Sequence, residues 1–254
     1  MTVLRFKLWL VMAVVAMCIA ATGNPSTFSF STIDGLQKKR PKVSAPVPSE
    51  TESLPENYFP LHAGNFWLYR ARVEIGNEKG GTDKIDKPRR VQVISNNGDD
   101  KRRIVHLKTD DYNGSNLITY SISNGKIYQF DEFDKADAEK QTDLPDDKLR
   151  YVFPLSVNKK WREPESSTTK NGLYSYVVDS LEEITVPAGT FHGCYRIVFR
   201  TIADESVEWF FPNVGIVKST YHHNGSVDDE LYELESYKIG AETKPVHPKG
   251  HNRK

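Results

Sequence analysis

Residues Phe66 to Ile75 read F-W-L-Y-R-A-R-V-E-I. Trp67, Tyr69, Ala71, Val73 and Ile75 fall on one side of a two-residue period, and Arg70, Arg72 and Glu74 on the other. Successive side chains of a strand point to opposite faces, so this run is a half-buried β-strand with an apolar inner face. Short runs of the same kind follow: R-V-Q-V-I from Arg90, R-I-V-H-L-K from Arg103, L-I-T-Y-S-I from Leu117, K-I-Y-Q-F from Lys126, L-Y-S-Y-V-V from Leu173, C-Y-R-I-V-F-R-T from Cys194, V-E-W-F-F from Val207 and G-I-V-K-S-T-Y from Gly215. N-N-G-D at Asn96, Y-N-G-S at Tyr112 and S-N-G-K at Ser123 separate some of them. Asn-Gly between alternating runs signals a hairpin, because both residues tolerate positive φ. No segment carries a helical apolar stripe. The acidic D-E-F-D-K-A-D-A-E-K-Q from Asp131 has almost nothing apolar to bury and reads as a loop or a surface helix. The predicted fold class is therefore mainly β: a single domain of about ten antiparallel strands in a meander, curved sheet or open (half) barrel.

A nine-residue pattern occurs twice. Phe59 to Trp67 reads F-P-L-H-A-G-N-F-W, and Phe153 to Trp161 reads F-P-L-S-V-N-K-K-W. Proline lacks a ladder donor and fixes φ, so it belongs at a strand entrance. Phe, Leu and Trp then serve as an anchor plugging one end of a sheet, and the recurrence suggests an internal repeat beginning near residues 59 and 153. The sharper alternative makes the tryptophans part of a ligand groove, with Trp67, Tyr69, Trp161, Trp209 and His62 as candidate ligand-binding residues. His62 is replaced by Ser156 in the second copy, so the Phe-Pro-Leu arrangement does not itself require histidine.

Two further stretches, V-P-A-G-T-F from Val186 and W-F-F-P-N-V-G-I-V-K from Trp209, read as shaped turns in which Gly189, Asn213 or Gly215 takes the left-handed conformation. With these, the chain resembles a group of bacterial exported proteins and lipoproteins of no established activity. The shared features are the Pro60, Leu61, Gly64, Trp67, Tyr69 opening, the Val186–Phe191 turn followed by Cys194, and the Val214–Lys218 turn, where Asn213 replaces the usual first glycine. The resemblance spans most of 58–237. It implies a cell-envelope location and a curved β-sheet domain, and it implies no reaction.

The chain ends read differently. Arg5 and Lys7 precede the apolar run Leu8–Met17 and the small-residue exit C-I-A-A-T-G. This is the layout of a secretory signal peptide, residues 1–21. Extended to Ala21, the run still falls short of the ~20 apolar residues of a spanning helix. Cys18 raises the alternative of a lipoprotein anchored through that cysteine, against which stands Met17, too large for the usual cleavage site. Residues 22–56 form a Ser/Thr/Pro-rich disordered linker, 57–239 the β-rich domain, and 240–254 a disordered tail of like composition. The expected location is exported, periplasmic or extracellular.

Charge excludes one class of partner. The sequence has 34 Lys plus Arg and 34 Asp plus Glu, and loss of the leader removes only Arg5 and Lys7. A balanced surface argues against nucleic acid, and K-K-R-P-K at Lys38 reads as a solvated linker. Cys194 is then the single thiol, expected as a buried small hydrophobe on a strand.

Catalytic constellations are not legible. There is no H-E-x-x-H, no paired-cysteine pattern and no G-x-S-x-G elbow. His222 and His223 are adjacent, so on a strand they face opposite ways. Asp110 with Asp111, and Asp228 with Asp229 and Glu230, adjoin turn signals and read as solvated turns. No cofactor or metal is expected. The reading is a non-enzymatic cell-envelope β-domain binding an apolar small molecule, a lipid or another envelope protein. The alternatives are a structural component without a pocket and a hydrolase using His62 or His192. A membrane enters only through the anchor at Cys18.

Overall fold

The computed structural model describes residues 42–43, 58–99, 101–132, 134–140, 143–162 and 173–240. The leader, most of the linker and nearly all of the C-terminal tail lie outside the described residues.

Strands β2 (Phe66–Gly76), β3 (Thr82–Gly98), β4 (Arg103–Asp111), β5 (Gly114–Ser123), β6 (Lys126–Phe130) and β7 (Leu149–Val152) form one antiparallel meander. A second consists of β8 (Lys160–Trp161), β9 (Tyr176–Val186), β10 (Gly189–Arg200), β11 (Asp204–Phe211), β12 (Gly215–His223) and β13 (Asp228–Lys238). Six strands thus follow each Phe-Pro-Leu. β13 pairs with β2 from Asp228–Ile75 to Lys238–Phe66 and joins the two meanders into one nearly closed, barrel-like sheet. Its ends, β7 and β8, share no backbone ladder; the Trp161 indole Nε1 donates to the Arg150 carbonyl at 3.2 Å across that seam. β1 (Lys42–Val43) lies parallel to β10 at Thr190 and Phe191, within the stretch expected as linker.

The three Asn-Gly signals fall at the β3–β4, β4–β5 and β5–β6 hairpins as expected, and Asn124, Asn213, Gly189 and Gly215 have positive φ. Besides β1, the strands that sequence reading missed are β7 and β8, four and two residues long, and the acidic β13. β3 is far longer than R-V-Q-V-I because its first half is charged. Pro88 falls where β3 has outrun β4 and pairs with β2 alone, an edge position that tolerates the missing donor. The acidic segment does contain a short helix, α1 (Lys135–Lys140). It seals the flank of β5 and β6 with one side chain, the fully buried Ala138, whose carbonyl accepts from Arg102 Nη2 at 2.6 Å.

The two Phe-Pro-Leu segments meet inside the sheet. Phe59, Leu61, Trp67, Phe153, Leu155 and Trp161 are all buried. The Phe59 ring is edge-on to Trp67 (5.8 Å), Tyr151 (5.9 Å) and Phe210 (5.5 Å), and Phe153 packs on Tyr58, Tyr151 and Phe210 at 5.2–5.9 Å. Aromatic quadrupoles favour such edge-to-face contacts. Trp67 Nε1 donates to the Val214 carbonyl at 2.6 Å, so the polar edge of the indole is not stranded. Gly215 lies directly against this plug: a Cβ there would sit 2.6 Å from Phe59 Cε2, and its φ is +98°.

Phe59→Ala is expected to cost about 3–5 kcal/mol, and Gly215→Ala about 2 kcal/mol from φ strain and overpacking together. Urea unfolding of each variant checks both; losses below about 0.5 kcal/mol would show that the plug does not hold the sheet.

Candidate functional site

Phe59, Trp67 and Tyr151 of the plug, with Tyr120 6.4 Å from the Phe59 ring, also form one wall of a cavity of about 280 Å³ on the inner side of the sheet. Its remaining lining comes from the inward faces of both meanders and includes Tyr69, Arg89, Thr109, Arg150, Glu208, Ser219, Tyr221, Glu230 and Tyr232. Strand register explains the selection. Tyr69 pairs with Leu234 and Arg89, Ser219 with Tyr232 and Glu208, and Tyr221 with Glu230 and Ser206, so each inherits the inward face of its neighbours.

The charges are organised. Arg150 Nη2 donates to Glu208 Oε1, and Tyr151 OH donates to Glu208 Oε2 at 2.8 Å. Arg150 and Glu208 side chains are only 18% and 12% exposed, so the pair is desolvated and its mutual attraction must offset that cost. Burial is the largest single influence and opposes the Arg150 charge, but Glu208 together with the surrounding Tyr151, Tyr176 and Tyr120 holds the guanidinium well above its ordinary pKa. Glu230 accepts from Tyr112 OH at 3.1 Å and Tyr232 OH at 2.9 Å. Burial raises the Tyr120 hydroxyl to about 12 and pushes Tyr69, Tyr151 and Tyr232 upward as well. These phenols are protonated at physiological pH and act as hydrogen-bond donors, not bases.

Of the sequence-expected residues, the structure brings Trp67 and Tyr69 to the cavity. It leaves the other three away from it. Trp161 stacks on Tyr176 at 5.3 Å beside the seam. Trp209 is on the outer face, because its neighbours Glu208 and Phe210 take the inner one; Nε1 donates to Glu182 at 2.6 Å and Lys218 Nζ stands 5.0 Å from its ring. His62 is half-buried at a turn where its carbonyl accepts from Asn65 N at 3.0 Å. Sequence reading missed Arg89, Arg150, Glu208 and Glu230. Glu230 is a correction: far from a solvated turn, it is a strand residue with its carboxylate turned inward and held by two phenols.

The histidines are dispersed. His192 pairs with Glu183 and His222 with Asp229, while His223 Nδ1 accepts from Gly225 N and Ser226 N. Among the described residues, no three His, Cys, Asp or Glu side chains gather around a common point. Cys194 is fully buried on β10, and burial raises its thiol to about 12.

A second hollow, of about 590 Å³, shares Thr220, Tyr221 and Glu230 with the first. Its charges are matched, Lys84 with Glu74 at 3.4 Å and His222 with Asp229.

No protein-family model matches the chain, and no curated protein does. Three solved structures are similar in part. One is an exported-protein candidate with YmcC-like fold from Bacteroides fragilis, at 16% identity and a TM-score of 0.39, covering 71% of this chain and 98% of that one. Another is a lipoprotein candidate from Parabacteroides distasonis, at 18% and 0.38, covering 72% and 99%. A third is a DUF1329 family protein from Desulfovibrio piger, at 10% and 0.26, covering 71% and 88%. Likeness at these scores carries no inference about fold or function here, which rest on the chain's own residues.

Two outcomes follow from this chemistry. Arg150→Met leaves Glu208 buried without its cation and is expected to cost about 3–5 kcal/mol by chemical denaturation, whereas Lys218→Met on the outer face should cost under about 0.5 kcal/mol. The Cys194 thiol, whose ordinary value is 9.0, ionises first in the unfolded chain. Its contribution to stability is therefore complete below that value and is lost as pH rises toward 12. Reaction of native protein with a thiol-specific disulfide reagent should track unfolding; rapid labelling in the folded state would contradict the burial.

Proposed function

We propose that this chain is a non-enzymatic, exported β-domain that binds a small amphipathic molecule in the interior of its sheet. The observation that carries the reading is the cavity itself. The plug fills one part of the interior with side chains, and the rest is left open and furnished with hydrogen-bonding groups. Small-molecule sites combine apolar walls with a few placed polar groups in this manner. Export is supported by the basic, apolar and small-residue segments of 1–21.

The lining contributes five tyrosines, two arginines and two glutamates. That favours a ligand with polar groups of its own over a bare acyl chain, since an acyl chain would leave them unmatched. The inner groups offer binding more readily than turnover: the phenols are protonated, Glu208 and Glu230 are engaged, and Cys194 does not line the cavity. Pairing with an envelope protein along a sheet edge is less favoured, because the two end strands are short and joined to each other through Trp161.

Native mass spectrometry of the protein purified from a bacterial envelope tests this. Wild type should carry a small-molecule mass that Ser219→Phe, which fills the cavity, does not, with both proteins showing the same circular dichroism. Bare wild-type protein in repeated preparations, or equal retention by Ser219→Phe, would overturn it; a bound protein chain instead would favour the edge-pairing reading.

A further inference from the structure

We infer that the cavity is built for an anion: a small organic molecule whose carboxylate or phosphate is bound by Arg89 with Thr109, and whose body lies against the tyrosine rings. This rests on the reading of the cavity as a binding site and specifies the chemistry it takes.

Four charged side chains line the cavity, and three are accounted for. Arg150 and Glu208 neutralise each other, and Glu230 is held by Tyr112 and Tyr232. Arg89 differs. Among the described residues its guanidinium makes no hydrogen bond and no ion pair, and its Nε is buried without a partner. What holds it is the Tyr232 ring, 4.6 Å from the guanidinium carbon, a cation–π contact that fixes the group while leaving its donors unused. Arg90 shows the contrast, lying over Phe66 on the other face at 4.4 Å. Two adjacent arginines in a strand must face opposite ways, and the pairing of Arg89 with inward-facing Tyr69 decides which one enters.

A second orphaned donor lies beside it. Thr109 is 2% exposed, lines the same cavity, and its Oγ1 has no partner. It stands opposite Val91, two residues along β3 from Arg89 and therefore on the same inner face. A buried donor left unmatched costs about 1–3 kcal/mol, and a charged one more. Two such groups on neighbouring strands, both lining one cavity, are satisfied together by the oxygens of one anion, with the guanidinium fork donating in parallel and the hydroxyl completing the set. The volume of about 280 Å³ lies at the small end of the ~300–1,000 Å³ of small-molecule sites and suits a compact, single-ring acid.

The test is calorimetric titration of the full chain with 4-hydroxyphenylacetate, phenyl phosphate and the neutral 4-hydroxyphenylacetamide. At least one anion should bind saturably, with the amide about tenfold or more weaker. The comparison of carboxylate with phosphate identifies the preferred head group. Arg89→Gln should weaken the anion by a similar factor, and Arg89→Lys, which keeps the charge without the fork, by less. Both variants should melt close to wild type, because the arginine they replace lacks polar partners in the empty protein and only its ring contact with Tyr232 is lost; a marked fall in melting temperature would make Arg89 a structural residue and overturn the inference. Equal binding of amide and acids, unaffected by Arg89→Gln but blocked by Ser219→Phe, would sink the anion and leave the cavity as a binding site. Absence of saturable binding by all three probes at millimolar concentration would overturn the anion inference, while ligand retention in native mass spectrometry judges the cavity separately.

Discussion

The structure depends on two phenylalanines, far apart in the chain, that converge on the same pair of rings. Phe59 and Phe153 each introduce a six-strand meander, and both rings pack against Tyr151 and Phe210. A curved sheet has an inner face to cover, and here aromatic rings from outside the strands supply the cover at one level while another stays open. The plug therefore does two things with the same atoms. It provides the large buried area that a protein with no disulfide among its described residues requires, and through Phe59, Trp67 and Tyr151 it gives the cavity a rigid wall.

Much of this fold was legible in the residues. The two-residue period of Phe66–Ile75 and the Asn-Gly turns specify antiparallel hairpins directly, and the doubled Phe-Pro-Leu marks where each meander starts. What escaped was chiefly charge placed on the inner face. Glu230 follows Asp228 and Asp229, and Glu208 is surrounded by Val207, Trp209 and Phe210; in both cases composition suggests the wrong side. Only register decides, and register is a property of the partner strand. One signal was available: in a strand, Arg89 and Arg90 cannot both face water. The tryptophans misled for the complementary reason. Trp209 is large and aromatic, yet Lys218, Arg196 and Glu182 clothe it on the outer face.

The interior thus holds two electrostatic regimes side by side. Arg150, Glu208 and Tyr151 form a closed set in which each member satisfies another, and such sets fix geometry more than they add stability. Arg89 and Thr109 form an open set, stabilised by ring contact and strand position alone. Retaining unmatched donors in a packed interior is unfavourable for folding, and proteins keep such features where function uses them.

The strand order has a kinetic meaning as well. Every antiparallel ladder but one joins strands that are consecutive in the chain. The exception, β2 with β13, closes a loop of about 150 residues between Gly76 and Asp228. Loop-closure entropy grows as the logarithm of length, so this ladder costs about 3 kcal/mol more to close than a four-residue hairpin. Apart from the two-residue parallel pairing of β1 with β10, the long-range ordering cost of the sheet falls on this one zipper, and the two meanders can be organised locally before it forms.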